Sequence, residues 1–120
     1  MDLKTIFHNK LQDLEKRLIK CRQGITYLQE LINNIKRKIK EENTKQIFIR
    51  KEIELNQTTL LLKEYANEFS VYVKHKDIIL RKDTSTQIAF EHLDELKDKV
   101  TDLITTIQSM IVYLEYSEYK

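Results

Sequence analysis

The sequence predicts an all-α protein, a long-helix antiparallel three-helix bundle or coiled coil, and three observations predict it. The chain of 120 residues contains no proline and a single glycine, so the residues that build tight turns and hairpins are missing. Its apolar residues recur in alternating steps of three and four over three long segments. Charged residues make up 33% and hydrophobic residues 41%, too apolar for a disordered chain and too charged for a compact β domain. A length of 120 residues makes one domain, 1–120, the ceiling.

The first helix is expected over 3–41. Phe7, Leu11, Leu14, Leu18, Cys21, Ile25, Leu28, Ile32, Ile35 and Ile39 form one heptad seam, with Leu11, Leu18, Ile25, Ile32 and Ile39 at a and the others at d. The seam keeps phase across Gly24, which falls at a g position, so the helix runs through it. Glycine inside a helix costs roughly 1 kcal/mol relative to alanine, and here it leaves a bare strip of backbone beside the seam.

The pattern slips between residues 40 and 47, where extending the first register puts Glu42, Gln46 and Asn56 on the seam. Lys36, Arg37, Lys38 and Lys40 suit the negative end of a helix dipole, and Asn43 or Thr44 suits the cap of a new helix. A turn near Asn43 is therefore expected, with a second helix over 45–82 whose face carries Phe48, Leu55, Thr59, Leu62, Ala66, Phe69, Val73 and Leu80. Without that turn, residues 3–82 form one rod of about 120 Å at 1.5 Å per residue.

Arg81 and Lys82 close the second helix, and Asp83, Thr84 and Ser85 are candidate caps of a third, over 85–119. Thr84 to Gln87 matches the capping box. The third seam is Ala89, Leu93, Leu96, Val100, Leu103, Ile107, Met110 and Leu114, widened at e by Phe90, Ile104 and Ile111. A face of a, d and e positions touches two neighbours, whereas a strict seam serves one. Three helices of similar length on short turns predict antiparallel neighbours. The narrow seam of helix 1 keeps open an extended helical hairpin completed by a partner chain.

The apolar runs, such as Met110 to Leu114, fall far short of the roughly 20 residues of a membrane span. Asp2 and Lys4 are not followed by the apolar stretch of a secretory signal. One cysteine permits no intramolecular disulfide and suits a reducing compartment, so an intracellular location, cytoplasmic or nuclear, is expected. Residues 1–52 hold 13 Lys or Arg against 7 Asp or Glu, and residues 53–120 hold 8 against 12. Basic and acidic helices that lie against each other account for this asymmetry.

Nothing in the pattern points to catalysis. Nucleophile elbows, phosphate loops and dinucleotide fingerprints each require glycines this chain lacks. His8, His75 and His92 are far apart and in no metal-binding spacing, so neither metal nor cofactor is expected. Cys21 sits on the seam as a small hydrophobe, without the exposure and nearby base a reactive thiol needs. Asp94, Asp98 and Asp102 make an acidic stripe whose nearest cationic neighbour is helix 1.

The expected function is a non-enzymatic protein–protein interaction module, a coiled-coil subunit, scaffold or adaptor of a larger assembly, in a homo- or hetero-oligomer. Its candidate partner-binding residues are Leu18, Ile25, Leu28 and Ile32 on the first seam and Tyr113, Tyr116 and Tyr119 at the end of the chain, where tyrosines make good anchors. One alternative is a secretion or assembly chaperone holding an amphipathic client helix. Another is nucleic-acid association through helix 1, with Lys36, Arg37, Lys38 and Lys40 as its contact.

Overall fold

A computed structural model describes residues 2–39 and 42–116, the side chains of 42–44 excepted. Lys40 and Tyr119, two of the candidate contact residues, lie outside these described residues. Among them the chain is all-helical: α1 (Leu3–Lys38), α2 (Glu42–Lys74), the single turn α3 (Lys76–Ile79) and α4 (Asp83–Glu115). The shape is extended, 61 × 21 × 17 Å.

The helix α1 runs unbroken through Gly24, as its heptad phase requires. Its first turn is capped by Asp2, whose carboxylate accepts a hydrogen bond from the backbone N–H of Thr5 at 2.7 Å. Its last turn carries Lys36, Arg37 and Lys38, positive charge at the negative end of the dipole, and Ile39 then leaves the helix in extended conformation.

The break between the first two helices thus falls earlier than expected. Asn43 and Thr44 lie inside the first turn of α2 and do not precede it. With neither glycine nor proline in the polar run, the sequence has no punctuation there to place the turn more closely.

Two expectations for the next connection also give way. α2 ends at Lys74, not Lys82, and the chain passes through His75, α3 and Leu80 before α4 begins. The consecutive apolar residues Ile78, Ile79 and Leu80 cannot all sit on one heptad face; Ile79 and Leu80 turn against the core and Ile78 points out. The capping box does not form, because α4 begins at Asp83 and its N-cap, Lys82, makes no side-chain cap bond. Thr86, fully buried, ties the connection instead: its hydroxyl is shared between the carbonyls of Ile79 at 3.0 Å and Lys82 at 2.9 Å.

The core is one cluster drawn from α1, α2 and α4. Of the ten α1 seam residues all but Ile39 are buried, and Leu31 joins them; all eight on the α4 seam are buried, with Phe90 and Ile104 beside them. α2 contributes less, namely Phe48, Leu55, Leu62 and Thr58. Its expected face frays toward the C-terminal end, where Thr59, Ala66 and Phe69 are half-buried and Val73 is exposed.

Pairs between α1 and α4 rise together in number. Lys10 meets Asp94 at 2.6 Å, Arg17 donates to the Thr101 hydroxyl at 3.0 Å, and Tyr27 donates to the Glu115 carboxylate. Against α4 the numbers of α2 run the other way: Lys51 lies over the Tyr113 ring at 4.5 Å, whereas Glu68, Val71 and Tyr72 share a cleft with His92 and Glu95. Lys36 of α1 meets Glu52 of α2 at 2.6 Å near the first turn.

At Gly24 the side chain of Ile107 in α4 packs closely on α1. A Cβ on Gly24 would lie 2.6 Å from Cγ2 of Ile107, inside any van der Waals separation. The bare strip beside the seam is therefore filled by the chain's own α4.

Candidate functional site

The structure separates the candidate partner-binding residues into two groups. Leu18, Ile25, Leu28 and Ile32 are buried in the core beneath the other helices of the same chain. As long as this fold holds, no outside molecule reaches them, and they act in folding. The reason is the wide apolar face of α4, which covers the α1 seam from within the chain.

Tyr113 and Tyr116 remain at the surface, Tyr116 84% exposed. Tyr113 is steadied by the ammonium of Lys51 over its ring. At the basic turn Lys36 is paired with Glu52, while Arg37 and Lys38 are exposed. Of the acidic stripe, Asp94 finds its cation on α1, since Lys10 reaches it; Lys97 of α4 in turn approaches Asp13 of α1 at 3.9 Å.

The surface that the heptad reading missed is the outer face of α2. Ile49, Ile53 and Leu60 are all exposed, Leu60 by 66%; Val71, also exposed, belongs to the side of α2 that lines a cleft against α4. At about 100° per residue the first three fall within about 40° of one another, roughly opposite the buried face. Ile49, Ile53 and Leu60 form a stripe about 17 Å long at 1.5 Å per residue. Single exposed apolar residues are ordinary, whereas an aligned series is a mark of an interaction surface. The signal was in the sequence: Ile49, Ile53 and Leu60 are spaced four and seven apart, a second helical series on α2 out of phase with its inward series Phe48, Leu55 and Leu62.

The remaining reactive groups are dispersed. Cys21 is buried, its thiol directed at the Val100 carbonyl at 3.9 Å, and desolvation pushes its pKa up to about 11. This holds it as an unreactive thiol. His8, His75 and His92 are exposed. Among the described residues no group of three or more His, Cys, Asp or Glu is placed to hold a metal ion. No helix among them is long and apolar enough to cross a membrane.

A cleft of about 370 Å³ opens where α2 and α3 meet α4, with Glu68, Tyr72, His92 and Glu95 in its wall. The Tyr72 hydroxyl is held above its ordinary pKa by desolvation first and by the two carboxylates second. Tyr27 is likewise raised, chiefly by its hydrogen bond to Glu115.

No protein-family model, no curated protein and no solved structure matches the chain.

Proposed function

We propose that the chain is a non-enzymatic protein–protein interaction module. In this reading it is a single-domain antiparallel three-helix bundle of coiled-coil type, a small subunit or adaptor that presents the outer face of α2 to its partner. The observation that carries the proposal is the stripe Ile49, Ile53 and Leu60, apolar, aligned and unused by the chain's own core. Removing such a stripe from water at a partner's surface supplies the usual drive for association. The opposed run of α2 against α4 supports the bundle topology. The single glycine supports the non-enzymatic part, because loops that cradle phosphates or oxyanions need more.

The test is the native size of the tagged chain in an extract of its source cells. The expected result is a complex larger than the 14.5 kDa chain, reduced to that mass by Leu60→Glu with the helical circular dichroism unchanged. A wild-type chain that runs at 14.5 kDa in the extract contradicts the proposal.

A further inference from the structure

We propose that the occupant of the outer face of α2 is a second copy of this chain, bound antiparallel about a two-fold axis level with Gln57. This rests on the interaction reading above and names its partner. The order of residues across the face supports this pairing. Down its centre run Ile53 and Leu60. Along one edge, every seven residues, come Arg50, Gln57 and Glu64; along the other come Ile49, Asn56 and Lys63, all of them exposed.

A two-fold axis perpendicular to the plane of two antiparallel helices sets each edge against the same edge of the other copy, in reversed order. Ile53 then packs on Leu60 of the second copy, and Arg50 faces Glu64 of the second copy. The aliphatic stem of Lys63 lies along Ile49 of the second copy. Each of these pairings occurs twice, and Gln57 and Asn56 meet their own counterparts at the axis. Neither Arg50 nor Glu64 has an ion-pair partner within the described chain, so both charges are free to make this one.

A parallel pair brings Glu64 to Lys63 but sets Arg50 beside Ile49 with no anion. Opposed helix dipoles add to the antiparallel preference. The paired stretch, residues 49–64, is about 22 Å of one helix, below the standard interface of about 800 Å² a side, so the pair is expected to be weak, in the micromolar range.

The experiment is size exclusion with light scattering on the full chain, loaded from about 1 to about 500 µM to span weak association. The variants are Arg50→Glu, Glu64→Arg and the two together, with circular dichroism on each. All the substituted side chains are exposed, so helicity is expected to hold. The proposal expects the wild-type mass to climb toward twice 14.5 kDa, each single reversal to weaken association about tenfold, and the double reversal to restore it. A monomer throughout overturns it, and so does a dimer indifferent to the reversals. Rescue of Glu64→Arg by Lys63→Glu in place of Arg50→Glu overturns it in favour of a parallel pair. A monomeric pure chain that still enters a complex in the extract leaves the interaction reading standing with a different partner. A monomer in both removes the two together.

Discussion

α1 and α2 are similar in length and in apolar content, yet they spend their apolar residues differently. α1 places its seam against α2 and α4 and leaves only Ile19 and Tyr27 exposed among its large apolar side chains. α2 divides its own. Phe48, Leu55 and Leu62 face inward, while Ile49, Ile53, Leu60, Leu61, Val71 and Val73 are exposed. A helix inside a closed core needs one stripe; a second stripe on the opposite side has no use within the chain. The difference teaches that the folding surface and the candidate binding surface are two sides of one helix.

Substitutions in the two regions should differ most where burial differs most. Leu28, with 0% of its surface exposed, is expected to cost about 2–5 kcal/mol on truncation to alanine, from lost burial and the cavity left behind. Ile53→Ala on the outer face is expected to change monomer stability by no more than about 0.5 kcal/mol. Urea unfolding at a concentration that keeps the chain monomeric checks both. Equal losses would erase the distinction between the regions.

The close approach at Gly24 sharpens the comparison from the α1 side. In the Ile107→Ala background, Gly24→Ala should stabilise by about 1 kcal/mol through helix propensity. In the wild-type background the contact with Cγ2 of Ile107 should cancel or reverse that gain. The difference between backgrounds, from a double-mutant cycle in urea, is the readout. An identical gain in both would mean that the helices are not in contact there.

The all-helical class, the continuity of α1 and the α1 and α4 seams were legible in the sequence, because strict heptad spacing over ten positions in α1 and eight in α4 leaves little freedom. The turn positions were less so. Break points in a chain without proline are set by packing, as with Ile79 and Leu80, and by a hydroxyl such as that of Thr86, whose carbonyl partners are known only once the helices are placed. The α1 seam read as a partner surface because sequence alone does not say which apolar face another helix of the same chain will cover. α2 was hardest for a related reason: two apolar series of different phase on one helix blur each other.

Smaller effects refine the inner side of α2 and the start of α1. Lys51→Met should remove the ammonium from the Tyr113 ring and cost about 0.5 kcal/mol in thermal unfolding. A cost of zero would place Tyr113 among the free surface groups. The Asp2 carboxylate is held below its usual pKa of 3.8 by its hydrogen bonds with Thr5. Its contribution is therefore present above that value and lost as the pH falls through the lower, folded-state value. Asp2→Ala should lower stability slightly at neutral pH and flatten this last acid loss. An unchanged acid limb in the variant would discount the cap.

The central claim, that the two sides of α2 do different work, is tested most directly by two leucines two residues apart. Leu62 is 6% exposed and Leu60 66%. Each is replaced by glutamate, and helicity, melting and sedimentation-equilibrium mass are measured on both variants and on the wild type. Leu62→Glu is expected to lose cooperative helical folding, because a charge is forced into the core, and Leu60→Glu to keep its helicity while losing the self-association of the wild type. A Leu60→Glu chain that unfolds like Leu62→Glu, or that associates like the wild type, would contradict the claim.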